Sequence, residues 1–375
     1  MQFELGEEQE QLRGGLDRLF GQTNDLAARV ATVRGEPGWR PDLWQRLADE
    51  LGLLGIGLPE ALGGYGSGLD QLVVMAAVGR ALVPEPIAET LFQCAPLLAR
   101  PDSGQADLVA GVMAGSVRLA MALGEAGMAD DLAGVALAAR KTGEGWELSG
   151  EKQVVIAAPW ATHLLVAART AGQPGEAQGL SLFVVPVEAP GLHLHPYRTL
   201  DERAAADVVL DRVAVARAAL VGTEGAALPL LEEWRDRAIA AACAEASGLL
   251  ERLLDDTLAY ARQRRQFGQP IGSFQALQHR MVDMHLQLEL VRSAALLACQ
   301  SLDGDPDGRA RAASAAKATL AQACRFIGQN AVQIHGGMGM TDELAIGHYF
   351  KRATMIEHSF GSTDWHLMRR AGLAG

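Results

Sequence analysis

Apolar positions recur along this chain with two different periods, and the change of period divides it into three parts. From Glu7 to about Phe92 the spacing is helical. Leu43-Trp-Gln-Arg-Leu-Ala-Asp-Glu-Leu51 sets its apolar residues on one helix face, and the stretch from Gly52 to Gly55 ends it. The glycines between Gly63 and Gly68 predict a loop before Leu69 opens the next helix; the run lacks the Gly-Lys-Ser/Thr ending of a nucleotide phosphate loop. From Arg118 to about Val221 the pattern switches to short β-type runs at Val135–Arg140, Trp146–Ser149, Gln153–Ala157, His163–Ala168, Ser181–Pro186 and Ala206–Leu210. Turn signals such as Gly143-Glu-Gly145 separate them, which predicts a small antiparallel barrel or sandwich. After Val221, Ala/Leu-rich helical segments cover roughly 226–266, 273–302, 308–335 and a final stretch from Asp342, the pattern of a four-helix bundle. The expected class is α+β: an N-terminal helical domain over 1–117, a middle β-domain over 118–222 and a C-terminal helical bundle over 223–375.

Composition narrows the function classes. The chain has 375 residues, enough for two or three cores, and a net charge of -12, which argues against nonspecific nucleic-acid binding. The cysteines, Cys94, Cys243, Cys299 and Cys324, are scattered without Cys-x-x-Cys spacing, so neither a zinc site nor a disulfide framework is expected. His193 and His195 share one strand face, but no third ligand accompanies them, and no metal site is expected. The acidic start and the lack of any uncharged membrane-length run fit a cytoplasmic protein.

The densest chemistry lies in Tyr260-Ala-Arg-Gln-Arg-Arg-Gln-Phe-Gly-Gln-Pro-Ile-Gly-Ser-Phe-Gln275, where Arg262, Arg264 and Arg265 precede Phe267-Gly268. Guanidinium forks beside an aromatic ring and a glycine suit a diphosphate next to a flat ring, although cations at a helix C-terminus also simply favour its dipole. A second landmark is Val332-Gln-Ile-His-Gly-Gly-Met-Gly-Met340. With these two motifs at their separation, the chain resembles the acyl-CoA dehydrogenase family over nearly its whole length. In character it is similar to the shorter subunits that pair with a longer homologue in pimeloyl-CoA and steroid side-chain dehydrogenases. The resemblance implies the three-part acyl-CoA dehydrogenase fold, an FAD cofactor, an acyl-CoA substrate desaturated at Cα–Cβ, and an electron-transfer flavoprotein as acceptor.

Such chemistry needs a carboxylate for the α-proton, hydrogen bonds to the thioester carbonyl, and a flavin to accept the β-hydride. The family's flavin-ring motif reads Thr-Glu-Pro-x-x-Gly-Ser-Asp; here Gly124-Glu-Ala-Gly-Met-Ala-Asp-Asp131 keeps Glu125 and Asp131 but neither hydroxyl. Where the family has Trp-Ile-Thr/Ser, this chain has Val154-Val155-Ile156. The dinucleotide contacts match: the resemblance assigns Arg264, Phe267, Gln333, Gly336 and Gly337 to FAD bound mainly by a neighbouring subunit, and Thr363 to a flavin contact. The usual base position is Gly361, and the family's second position aligns with Ala238-Ile239. Glu245, two helical turns beyond, shares that face on a run of small apolar residues, making it the candidate base; an interhelical ion pair or a partner contact is the other reading. His335 next to the glycines, Asp364 with His366, and the cation pairs Lys351-Arg352 and Arg369-Arg370 are lesser candidates. The expected assembly is a heterotetramer with a longer homologous subunit, with a self-sufficient homo-oligomer using Glu245, or a non-enzymatic scaffold, as alternatives.

Overall fold

A computed structural model describes residues 5–128 and 130–373. The chain begins with α1 (Glu7–Thr23), α2 (Leu26–Arg34), α3 (Pro41–Asp49) and α4 (Gly68–Ala81). A π-helical turn at Ala88–Cys94 runs into α5 (Ala95–Leu98), and α6 (Ala106–Met113) follows. The strands are β1 (Leu119–Ala122), β2 (Ala138–Lys141), β3 (Gly145–Ile156), β4 (His163–Arg169), β5 (Leu180–Pro186), β6 (Leu192–Arg198), β7 (Ala204–Ala216) and β8 (Leu220–Val221). Helix α7 (Leu228–Gln263) then leads to a short ribbon, β9 (Arg265–Gln266) with β10 (Gln269–Pro270). The chain closes with α8 (Gln275–Gln300), α9 (Pro306–His335), α10 (Ala345–His358) and α11 (Thr363–Leu373). Among the described residues, no helix is long and apolar enough to cross a membrane.

Two compact units result. One comprises the described parts of Met1–Ala31, Gly68–Val83 and Ile239–Gly375; the other comprises Thr32–Ser67 and Pro84–Ala238.

The second unit is built on a sheet of order β6-β7-β3-β2-β4-β5-β8. Most pairings are antiparallel, but β1 runs parallel to β4, and β2 meets β4 in parallel. The runs expected as separate strands at Trp146 and Gln153 are one strand, β3, because β7 pairs along its full length. The break in alternation comes from two register shifts, at Leu148/Gly150 and Lys152/Val155. Such bulges bend a strand and re-aim its side chains. Inward residues Leu148, Val166, Phe183 and Val208 are fully buried, and the Trp146 and Phe183 rings meet at 5.2 Å. The π-helical turn is fixed by Glu89, whose two oxygens each accept from Arg203 at 2.9 Å.

In the first unit the helices approach through glycines. A Cβ at Gly248 would lie 1.9 Å from the Ala76 carbonyl oxygen, and one at Gly79 would lie 1.9 Å from that of Glu245. Helices α4 and α7 therefore touch backbone to backbone. A Cβ at Gly68 would meet the Cys299 carbonyl at 2.0 Å, which brings α4 onto α8 as well. Helix α9 starts with Pro306 behind Asp305, whose carboxylate accepts the Gly308 N–H at 2.8 Å, an N-cap that satisfies a donor the helix cannot. The stretch expected as one final segment from Asp342 is two helices, interrupted where Phe360 and Gly361 take positive φ.

Candidate functional site

Helix α7 ends as the Arg264 N–H donates to the Tyr260 carbonyl, and the ribbon closes when the Ile271 N–H returns to the Arg264 carbonyl, each at 2.8 Å. Phe267 and Gly268 form its two-residue turn with φ of +53° and +80°. A hairpin with both central residues left-handed is the type I′ turn, which Gly adopts freely and a bulky residue adopts only under strain. Phe267 holds this conformation while 91% exposed, with the Phe274 ring edge-on at 6.0 Å. The Arg264 side chain is also exposed and has no partner among the described residues, whereas Arg265 donates to the Gly268 carbonyl at 3.2 Å.

The second motif ends α9. Gly336 has φ +63° and its N–H returns to the Val332 and Gln333 carbonyls. A Cβ at Gly336 or Gly337 would meet nothing within 4 Å, so the space beside both is free, and Gln333 is exposed. His335 donates from Nδ1 to the Ala331 carbonyl at 2.8 Å, and burial pushes its pKa below the ordinary histidine value. Its ring stacks on Tyr260 at 4.2 Å and 28°. Tyr260 stands four residues before Arg264, and His335 immediately precedes Gly336. The stack thus brings both motifs to one end of the bundle, with an exposed guanidinium, an exposed ring, an amide and two glycines with free space beside them. That donor set fits a diphosphate-bearing cofactor.

The base positions read differently. Ala238 and Ile239 are fully buried and carry no carboxylate. Glu245 is buried on α7, and its two oxygens accept from Arg352 Nε and Nη2 of α10 at 2.6 and 2.7 Å, a bidentate interhelical ion pair. At Gly361, φ is +108° and a Cβ would lie 2.9 Å from His366 Nε2. That nitrogen donates to the Phe360 carbonyl at 2.8 Å, while Nδ1 lies 3.2 Å from Ser314 Oγ. A glycine is therefore required in this turn. Thr363 opens α11, half-buried, and Ser362 Oγ accepts the Trp365 N–H at 3.2 Å. Of the cation pairs, Lys351 reaches Asp342 at 3.3 Å and the Arg369 guanidinium lies 5.7 Å from the Trp365 ring centre. His193 and His195 are exposed on β6, and among the described residues no group of three side chains could hold a metal ion.

The surface aligned with the family's flavin-ring motif lies in the other unit. Glu125 accepts the Ala136 and Leu137 N–H groups and pairs with Lys152, whose burial lowers its pKa to about 8 against the opposing pull of Glu125. Asp131 accepts the Ala133 N–H at 2.9 Å. The carbonyl of Gly124 accepts the Gln153 N–H at 2.7 Å, and a Cβ there would come within 3.1 Å of the Gln153 carbonyl. Val154, with φ +53°, is 56% exposed; its N–H donates to Asp207, which also accepts from Tyr197 Oη, both at 3.0 Å. Ala129 of this stretch lies outside the described residues. Neither an aromatic face nor a hydroxyl donor is offered where the ring motif has them, so these residues do not fit an isoalloxazine ring. Sequence reading did not single out Lys152, Tyr197, Asp207 or Tyr260. Tyr260 opens the quoted arginine-rich stretch, and Lys152 is a charge within a β-type segment.

Comparison with known proteins identifies the family. Residues 6–99, 120–213 and 236–371 match the N-terminal, middle and C-terminal domain models of acyl-CoA dehydrogenase. Acyl-CoA dehydrogenase FadE27 of Mycobacterium tuberculosis is 32% identical over 88% of this chain and 86% of its own. Among solved structures, a variant of the Tcur3481-Tcur3483 steroid ACAD shares 34% identity at a TM-score of 0.87, covering 99% of this chain and 98% of that one. The ChsE4-ChsE5 complex from Mycobacterium tuberculosis shares 28% at 0.88, with the same coverage.

Proposed function

Because the chain belongs to the acyl-CoA dehydrogenase family, we propose that it is the supporting subunit of a heteromeric, FAD-dependent enzyme that desaturates an acyl-CoA thioester at Cα–Cβ. The observation that carries the reading is the contrast between two surfaces, each taken within its own unit. Arg264 and Gln333 offer exposed side-chain donors with no partner among the described residues, Gly336 and Gly337 leave the space beside them free, and Phe267 is held out into solvent. The ring-facing stretch has lost its hydroxyls and is closed on its own backbone at Gly124 and Gln153. A chain that supplies donors without a ring cradle fits a subunit that completes a cofactor site held by a longer homologue.

In this reading Arg264 would lie on diphosphate oxygens, Gly336 and Gly337 would let the same anion approach the backbone closely, Gln333 would orient it, and Phe267 would cover a flat surface. Thr363 supplies a hydroxyl at the start of α11. FAD, when bound, supplies the hydride acceptor. The base comes from the partner, since Gly361 cannot carry one and the Glu245 oxygens are held by Arg352. Two of the similar structures are named as paired chains, and one as a steroid enzyme, which supports a heteromer acting on a bulky acyl chain. An electron-transfer flavoprotein in the cytoplasm would take the electrons onward.

Flavin content tests this. The chain purified alone is expected to carry little FAD, and a co-expressed longer homologue to carry about one per pair, lost with Arg264→Ala. About one FAD per isolated chain, bleached by an acyl-CoA, would overturn the proposal in favour of a self-sufficient enzyme using Glu245.

A further inference from the structure

Each cofactor-contact motif is fixed to the end of its own helix by main-chain contacts. On α7 the Tyr260 carbonyl accepts the Arg264 N–H and the Arg264 carbonyl accepts the Ile271 N–H, both at 2.8 Å. The ribbon returns so close to the helix that a Cβ at Gly272 would lie 3.0 Å from the Ala261 carbonyl oxygen. On α9 the Gly336 N–H returns to the Val332 and Gln333 carbonyls. The turn beyond it folds back until a Cβ at Gly339 would lie 3.0 Å from the Val332 carbonyl oxygen and 3.1 Å from the His335 Cβ. These contacts shape each motif but leave the span between the two motifs undetermined. A ligand that reaches from one to the other is held well only if that span is fixed by supporting residues.

The side chains at the surface do not fix it, since Arg264, Phe267 and Gln333 are all exposed. The Tyr260–His335 stack joins the two helix ends directly, with ring centres 4.2 Å apart and planes 28° from parallel. Both rings are anchored. Tyr260 is half-buried one helical turn before Arg264, and its carbonyl is the acceptor on which α7 ends. His335 is buried immediately before Gly336, and its Nδ1 donates to the Ala331 carbonyl at 2.8 Å, which locks the imidazole against α9. Burial holds its pKa below the ordinary histidine value, so the ring is neutral at neutral pH and stacks without desolvating a cation. A stacked aromatic pair has a preferred separation and tilt, which an aliphatic contact lacks.

We propose that Tyr260 is a positioning residue for the cofactor site: stacked on His335, it holds Arg264 and Phe267 at the span from Gln333 and Gly336 that one diphosphate-bearing cofactor requires. The role rests on the supporting-subunit reading above, and in it the Tyr260 ring acts through His335 and the two helix ends rather than on the cofactor.

The rate of FAD release from the complex with a co-expressed longer homologue tests it, together with the His335 ring-proton shifts of the isolated chain. Tyr260→Leu should release FAD about tenfold faster than the native complex, while Tyr260→Phe, which keeps the ring, should stay close to the native rate. His335→Leu should match Tyr260→Leu, and the double variant should be no worse than either single one, because both remove the same contact. In the isolated, folded chain the upfield ring-current shift of His335 should persist in Tyr260→Phe and vanish in Tyr260→Leu. Should Tyr260→Leu not fold, His335→Leu decides in its place. Native release from Tyr260→Leu, in a complex that does lose FAD with Arg264→Ala, would overturn the positioning role and leave the supporting-subunit reading standing. Release as fast from Tyr260→Phe as from Tyr260→Leu, or additive losses in the double variant, would overturn the role as well. FAD retention indifferent to both Arg264→Ala and Tyr260→Leu would overturn that reading and the role together.

Discussion

Removing Arg352 would leave the Glu245 carboxylate inside the bundle with no counter-charge, and the size of the resulting loss measures what the pair is for. Both side chains are largely buried, at 7% exposure for Glu245 and 14% for Arg352, and the geometry is bidentate. Breaking one side of such a pair costs about 3–5 kcal/mol, because the remaining charge keeps its desolvation penalty. An exposed pair such as Lys141–Glu224 is worth about 0–1 kcal/mol. Arg352→Met should therefore lower the urea midpoint of the isolated chain far more than Lys141→Met does. Joining Arg352→Met with Glu245→Met should recover much of the loss, since a matched apolar pair is often neutral relative to the ion pair. The same variants in the flavin-loaded complex separate structure from catalysis. If Glu245 is structural, Glu245→Gln lowers stability and leaves turnover per folded complex nearly intact. A loss of roughly 10²–10⁴ in kcat from Glu245→Gln, with Arg352→Met costing under about 1 kcal/mol, would refute the reasoning and make Glu245 the base.

Phe267→Asn makes the ribbon turn Asn-Gly, the preferred type I′ sequence, and should stabilise the isolated chain by about 1 kcal/mol while weakening association with a flavin-bearing partner roughly tenfold or more. Urea midpoints and partner titration check the two effects, and unchanged association would show that the exposed ring contacts no partner. Lys152 should give a pH signature. Its pKa falls from 10.5 to about 8 on folding, so between those values the unfolded chain binds more protons and stability rises with pH, by on the order of 3 kcal/mol across the window. The buried thiols of Cys94, Cys243, Cys299 and Cys324 are held above their ordinary value of 9.0 and pull the other way. The quantity to measure is thus the difference between the native chain and Lys152→Met from about pH 7.5 to about pH 10.5; parallel curves would contradict the assignment.

What the sequence disclosed followed from how local each signal is. Helical periodicity located the ends of α7, α8 and α9 to within three residues, and the start of α9 is set by Pro306 behind Asp305, two residues before the expected 308. Family spacing drew attention to Arg264 and Gly336, but only the Tyr260–His335 stack shows that the two helix ends meet. A ring-on-ring contact between residues 75 positions apart has no periodicity to betray it. For the same reason Glu245 was visible as a carboxylate on an apolar face, while its partner Arg352, 107 positions on, read as half of an ordinary cation pair. The fusion of two expected strands into β3 has a comparable cause: bulges interrupt alternation without interrupting the ladder, and the continuity resides in β7.

The altered stretch at 124–131 shows why a partly matched motif needs its contacts before it is given a role. Its two matching residues, Glu125 and Asp131, both work on the protein's own backbone: the first gathers two N–H groups and the buried Lys152, the second the N–H of Ala133. Neither carboxylate depends on a ligand to be satisfied. The positions that differ, Gly124 and Asp130 in this stretch and Val154 in the strand that follows, are where the family's flavin-ring motifs carry their hydroxyls and aromatic. Gly124 now lies so near Gln153 that a side chain would crowd its carbonyl, and Val154 turns outward in a left-handed conformation that Asp207 stabilises through its N–H. A carboxylate that holds a loop remains necessary after the loop has lost its ligand, whereas a hydroxyl that faced the ligand does not. The mixture of matches and departures is therefore what a β-domain would show if its framework were still required and its own flavin were not.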